Sequence, residues 1–471
     1  IDGGSVRTLM ADSEFPFWGE DGFIYAFVGG EGIFRIPAGG GEAERVSPVD
    51  PGASQQLVTD LLPGGASALL TLFAGDVRNP VTDVAVLDLA TGDTRRLVSG
   101  YGARYVGPGY LVMVGEGGAL AAARFDAGAG ELREPLVPLL DAVDEFSLSE
   151  TGTLVYRPAL TSRHEFVWVS RDGAVDPLAS GWSVEGLVPR GFALSPDGGR
   201  LALTLAGDEA GAEDIWVKEL PDGPLQKLTF DEGSAWGPRW AADGERITYT
   251  SGRTGGRATV SRRSNGTGGA DTLFGTSLDA PDAQLGPTGE WLVLRVGVEG
   301  GRQRHIVAGR LGPDEDPPAP IVGGPYNAAQ PALSPDGRLL AYISDESGRN
   351  EVYVRPFPDV GSDRVLVSTE GGLQPRWSPD GRELFYVSAG SKMVAARMER
   401  DPAIRVVARQ ELFTIPAGYF SRDGLLATNY DVADDGRRFL MARAVDDPDV
   451  PTPELIVVQN WVEEMKAALA R

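Results

Sequence analysis

The sequence predicts an all-β chain, a β-propeller of about ten four-stranded blades with a short C-terminal helix, and three observations carry that reading. A turn-like glycine recurs at Gly22, Gly65, Gly109, Gly152, Gly198, Gly244, Gly289, Gly337, Gly381 and Gly436, at roughly 43 to 55 residue intervals, the length of one propeller blade. The residue four before each glycine is large and apolar: Trp18, Leu61, Tyr105, Leu148, Leu194, Trp240, Leu285, Leu333, Trp377 and Val432. A short apolar run follows each glycine, as in FIYAF, YLVMV, LLAYI and ELFYV.

Each element follows from local chemistry. In S-P-D-G, proline presets φ at the second turn position, aspartate suits the third, and glycine takes the left-handed conformation that closes a hairpin. Apolar residues on both sides then form two antiparallel strands buried between neighbouring sheets. A third strand reads DIWVKEL (Asp214–Leu220), EFVWVSR (Glu165–Arg171) or EVYVRPF (Glu351–Phe357), and a fourth reads LQKLTF, TRRLVS or RVLVST. Four radially repeated strands per unit define the propeller. The 63 glycines and 34 prolines show no G-x-y period and fit many strands joined by turns. At the end, Trp461, Met465 and Leu469 lie four apart on one face of an amphipathic helix, with Asn460 as its expected cap and Glu463 at the capping-box position.

Ten units exceed the usual size of one ring. The turns are irregular up to about residue 180 and regular beyond, so the expected domains are N-terminal blades over 1–180, a six-bladed propeller over 181–458 and the helix over 459–471. The alternative is a single ten-bladed ring, in which SVRTLM supplies an outer strand to a last blade whose third strand is ELIVV (Glu454–Val458).

The S-P-D-G units resemble the WD40-like PD40 repeats of the TolB propeller group. The ordered phrases GIFRIPAGGGEAERV, LDLATGDTRRLVSG, SDESGRNEVYVRPFP, STEGGLQPRWSPDGRELFYVS and ELIVVQNWVEEMKAAL resemble the propeller region that follows the kinase domain of bacterial transmembrane serine/threonine kinases. That resemblance implies an extracytoplasmic sensing or protein-binding module, tethered through an upstream membrane span. A stand-alone TolB-like periplasmic or secreted scaffold for protein assembly is the alternative it leaves open.

Composition narrows the chemistry. A formal charge of −24 disfavours nucleic acid as a partner. The absence of cysteine excludes disulfides and thiolate metal sites. No apolar run is long enough to span a membrane. The kinase glycine-rich loop, H-R-D and D-F-G are missing, as is the G-x-S-x-G elbow, so the expectation is a non-catalytic chain without cofactor or metal. His164 and His305 read as separate loop residues, and acidic stretches such as GDEAGAED lack calcium-loop spacing.

Binding is what remains, to a protein or a small polar ligand. Loops between second and third strands and between blades share the end opposite the S-P-D-G turns. They carry the candidate binding residues Asp231, Glu232, Trp236, Arg253, Tyr326, Asp345, Glu346 and Arg349. Gly198, Gly244, Gly289, Gly337, Gly381 and Gly436 are the expected structural turns.

Overall fold

At Ser334–Pro335–Asp336–Gly337 the Gly337 N–H donates to the Ser334 carbonyl at 2.8 Å, closing the turn, with Gly337 at φ 67°. The Ser334 hydroxyl, fully buried, donates to the Asp336 carboxylate at 2.6 Å and accepts the Leu339 N–H at 3.0 Å. The same clamp forms around Ser195 and Ser378. Serine here therefore supplies the polar knot of the hairpin. The proline also packs against the turn glycine of the following blade. A Cβ on Gly337 would meet Pro287 at 3.1 Å, and one on Gly381 would meet Pro335 at 3.4 Å.

The structure, a computed structural model, describes residues 8–10, 13–51, 53, 55–76, 79–115, 118–141, 143–149, 151–158, 163–207, 213–230, 233–252, 257–276, 282–297, 304–312, 315–361, 364–401, 403–416, 418–419, 429–445 and 455–470. It is an all-β propeller chain apart from the helix Trp461–Leu469, and it divides into two units. The larger is Thr161–Asp447; the smaller combines Ile1–Leu160 with Pro448–Arg471.

The larger unit holds six four-stranded antiparallel sheets. Five are built from consecutive strands, their innermost strands being Leu187–Leu194, Ser234–Trp240, Gln284–Leu285, Ala328–Leu333 and Gly372–Trp377. The closing sheet joins both ends of the unit: Tyr430–Val432 and Arg438–Ala444 form its inner half, and His164–Ser170 and Val175–Pro177 its outer half. Arg438–Ala444 pairs along its whole length with His164–Ser170. Six apolar clusters, one at each sheet interface, complete the circuit. The best filled sets Ile343, Val352 and Val354 against Trp377, Leu384 and Tyr386. The middle strands are buried on both faces, as Leu339–Ser344 shows, and for that reason they read as unbroken apolar runs.

Two expected boundaries are corrected. His164–Pro177 lies N-terminal to residue 181, yet it belongs to the six-sheet unit because it closes the ring. Ile456–Val458, expected in the last blade, pairs instead with Leu154–Tyr156 of the smaller unit. The two pairings together correct the ten-bladed alternative: Arg438–Ala444 takes its partner from residues 164–170 and not from Glu454–Val458. Residues 5–7 of SVRTLM lie outside the described residues.

The smaller unit carries one four-stranded sheet from Ser13 to Ser47, a continuous array from Gln55 to Leu140, and a three-stranded sheet of Val143–Leu148, Leu154–Pro158 and Ile456–Val458. The array is continuous because one strand, Thr94–Val106, pairs with Asn79–Asp88 at its start and with Tyr110–Gly115 at its end. The helix buries Trp461, Val462 and Met465 against Val112, Leu120, Ala122 and Leu154, with Leu469 partly buried beside them. Its start differs from expectation. Asn460 is left-handed at φ 59° and makes no side-chain cap, while Glu463 turns to Lys466 at 2.8 Å.

Candidate functional site

A propeller offers its loop ends and its axis for binding, and the innermost strands build the axis. In five of the six sheets of the larger unit the chain makes a left-handed step seven residues before the turn glycine, in or just before the innermost strand: Gly191 (φ 91°), Gly237 (φ 68°), Asp282 (φ 64°), Gln330 (φ 52°) and Gln374 (φ 58°). The step breaks the pairing register, as between Ala329 and Ala332 or Leu373 and Arg376, and this bulge re-aims the next side chains. Gln330 and Gln374 hold that conformation because their amides link adjacent blades. Gln330 Oε1 accepts the Gln374 N–H at 2.7 Å, and Gln374 Oε1 accepts the Asn429 N–H at 3.0 Å.

Five residues before the turn glycine stand Asp431, Ala193, Arg239, Gln284, Ala332 and Arg376, in ring order from the closing sheet. Where this residue is alanine, the next blade carries tryptophan and its Nε1–H donates to the alanine carbonyl: Trp240 to Ala193 at 2.8 Å, Trp377 to Ala332 at 3.0 Å. Where it is Gln284 or Asp431, the next blade carries leucine, and the side-chain oxygen accepts that leucine's N–H: Leu333 at 3.0 Å, Leu194 at 2.8 Å. Both solutions satisfy a backbone group that would otherwise be buried without a partner.

Arg239 and Arg376 sit three blades apart in a ring of six, and so face each other across the axis. Arg376 Nε lies 4.0 Å from Asp431 Oδ1, and the fully buried Arg295 lies 3.2 Å from Asp282. Burial, and then the Arg376 charge, pull the Arg239 guanidinium down to about 9, with Asp282 and Asp431 acting in the opposite direction. It stays charged at neutral pH, so the axis holds two mutually repelling cations. Burial raises the Tyr430 hydroxyl well above its usual range, and it donates to the Gln374 carbonyl at 2.8 Å.

The residues expected on the loop end fare differently. Asp231, Glu232 and Arg253 lie outside the described residues. Trp236 is on an innermost strand, 4% exposed, its ring under Gly252. Asp345 clamps Asn327, accepting from its N–H at 2.7 Å and its Nδ2 at 2.8 Å. Glu346 pairs with Arg364 at 2.9 Å. Arg349 spans from Glu351 at 2.7 Å to the Thr369 carbonyl at 2.7 Å, tying its loop to the one leading into the next blade. Tyr326 is half-buried beside Gly324. A cavity of about 90 Å³ opens among Arg295, Arg304, Asn327, Asp345 and Asn350. The DESGRN loop therefore shapes that end chiefly by bracing it. Reading the loops missed the axis, whose signal was present: P-R-W occurs at 238–240 and again at 375–377, a charge in the same place on opposite blades.

The smaller unit has its own cleft, about 690 Å³, lined by Phe17, Trp18, Asp60, Arg104, Tyr105 and Lys466 among others. Trp18 is 69% exposed there, and the Arg104 guanidinium lies 5.9 Å from the Phe17 ring centre. Asp60, raised by burial, accepts the Tyr105 N–H at 2.8 Å, the same interblade device as Asp431. His164 and His305 lie on different sheets, and among the described residues no three His, Asp or Glu side chains gather as metal ligands. No helix among the described residues is long and apolar enough to cross a membrane.

No protein-family model matches this chain, and no curated protein does. Among solved structures it is similar to a protein described as putative TolB from Agrobacterium tumefaciens, at 16% identity and TM-score 0.45, covering 61% of this chain and 99% of that one. It is similar to TolB from Acinetobacter baumannii, at 13% identity and TM-score 0.35, covering 82% and 81%. It is also similar to the tricorn protease, at 11% identity and TM-score 0.38, covering 93% of this chain and 46% of that one.

Proposed function

We propose that the chain is a non-catalytic recognition module, the extracytoplasmic sensor or protein-binding region of a bacterial serine/threonine kinase. The observation that supports it is the division of labour in the six-sheet unit. Its turn end is built from short hairpins of one form, three of them closed by the same serine clamp, whereas the opposite end varies in loop length and is braced by Asp345, Glu346 and Arg349. Variable loops on a closed, rigid frame are where specificity is written. The kinase context rests on the sequence resemblance. A kinase domain and an apolar span encoded upstream would support it, and a cleavable signal peptide there would favour the scaffold reading.

The test is partner capture with the whole chain, comparing Tyr326→Ala with a double change of Arg338 and Arg382, which are exposed beside the turn glycines. Loss of capture in the first and retention in the second is expected. The opposite pattern places recognition on the turn end. Turnover of peptide, ester or ATP by the repurified chain would overturn the non-catalytic reading.

A further inference from the structure

Trp18 ends the innermost strand Ser13–Trp18 four residues before Gly22, the place held by Trp240 and Trp377 in the larger unit. The local geometry is also the same. Phe15 makes the left-handed step at φ 54°, and the pairing register breaks between Glu14 and Phe17, as it does between Trp236 and Arg239 and between Leu373 and Arg376. In the larger unit a tryptophan so placed donates Nε1–H to an alanine carbonyl on the preceding inner strand, at 2.8 Å to Ala193 and 3.0 Å to Ala332. Ala332 packs in one cluster with Trp377, whose ring is buried. Trp18 has neither the acceptor nor the cover. It is exposed, makes no hydrogen bond among the described residues and lines the cleft of about 690 Å³.

The rest of the smaller unit does not supply what Trp18 lacks. Apolar clusters join the Ser13–Ser47 sheet to the array, through Tyr25 and Val58, and the array to the three-stranded sheet, through Val112 and Leu154. Among the described residues no such cluster joins the three-stranded sheet back to Ser13–Ser47. FSLS at 146–149 matches the acceptor segments FALS at 192–195 and PALS at 331–334, and Leu148 and Ser149 line the cleft, yet Trp18 donates to no carbonyl of that segment.

We propose that the cleft of the smaller unit receives an extended segment of a partner protein, in which the carbonyl of a small residue accepts the Trp18 Nε1–H as the Ala193 and Ala332 carbonyls do for Trp240 and Trp377. An extended chain presents carbonyls with a spare lone pair, and the residue must be small because the indole packs against it, as Trp377 does with Ala332. The cleft lining carries both signs of charge, Arg104 and Lys466 with Glu20, Asp60 and Glu463, so an uncharged segment fits it best. Its volume falls within the roughly 300–1,000 Å³ of ligand sites. An exposed tryptophan that becomes covered and hydrogen-bonded on association is the kind of residue that carries binding energy. The proposal rests on the reading of the chain as a recognition module and adds to it a contact made by the smaller unit.

The experiment titrates the whole chain with the acetylated, amidated peptide GFALSP, the sequence of residues 191–196 that contains the Ala193 acceptor. The peptide has no tryptophan, so acrylamide quenching of tryptophan fluorescence reports on the chain alone, and the difference between the parent and Trp18→Phe isolates Trp18. Without peptide, Trp18 should be open to acrylamide; saturating peptide should shield it. The same peptide carrying Ala193→Tyr should not bind. Trp18→Ala should weaken binding at least about tenfold, and Trp18→Phe, which keeps a ring and loses the donor, by a smaller factor. Phe230→Ala, an aromatic of equal exposure in the larger unit, should bind as the parent does. The parent's response to the two peptides decides the matter even if a variant fails to fold. Trp18 already shielded in the peptide-free chain would mean that residues 146–149 supply the carbonyl, and would overturn the proposal. So would the absence of saturable binding, equal binding of both peptides, or a Trp18→Ala chain that titrates like the parent. If peptide binding fails while partner capture still depends on Tyr326, this inference falls and the recognition reading stands.

Discussion

At the scale of single residues, the turn glycines and the serine clamps make the sharpest tests. Gly337 combines φ 67° with Pro287 at 3.1 Å from where a Cβ would stand. Gly337→Val should therefore lower stability by about 1–3 kcal/mol, from a β-branched residue forced left-handed and from crowding of the neighbouring turn. Unchanged thermal unfolding would show that neither constraint operates. The clamp also predicts a pH dependence. The Ser378 hydroxyl, and then the Arg382 N–H, hold the Asp380 carboxyl below the usual range, and Ser195 does the same for Asp197. A carboxyl depressed in the folded state adds stability above its unfolded value of about 3.9 and loses it as pH falls through the folded value. Asp380→Asn should thus be less stable than the parent at pH 6, with the gap closing below about pH 4. A gap that stays constant with pH assigns the loss to geometry instead.

At the scale of elements, the interblade latches alternate between two chemistries, and each can be removed alone. Trp377→Phe keeps the ring in its cluster and deletes the Nε1–H donated to Ala332, leaving a buried carbonyl without that partner. The expected loss is about 1–3 kcal/mol in denaturant unfolding, and no loss would mean the carbonyl finds another donor. Gln284→Leu should do the same for the Leu333 N–H. Both latches were open to the sequence in part. Trp240 and Trp377 stood out as large apolar residues four before a glycine, but their partners lie on the preceding blade, 47 and 45 residues earlier. Pairing them requires knowing that successive blades pack with their inner strands level. Asn460 shows the limit from the other side. It has the right residue type for a helix cap, yet the strand Ile456–Val458 delivers the chain at an angle that Asn460 meets by turning left-handed.

At the scale of the whole molecule, ring closure decides which fragments fold. A fragment of 161–447 should express and unfold cooperatively, because both halves of the closing sheet are present. A fragment of 181–458 should not: it strands Arg438–Ala444 without His164–Ser170 and exposes an unpaired apolar edge. Circular dichroism melts and proteolysis of the two compare them directly, and equal stability would refute the closure. The fold class, the blade period, the turn glycines and the amphipathic helix were determined by the sequence alone, because each is written in short local patterns, and the period is the recurrence of one such pattern along the chain. The closing partners, the unit boundary and the charged axis were decided only by tertiary structure. His164–Ser170 meets Arg438–Ala444 across some 270 intervening residues, and Arg239 faces Arg376 only once six sheets have closed into a circle. Local periodicity carries no information about where a ring shuts, nor about which inner-strand residues come to stand on opposite blades.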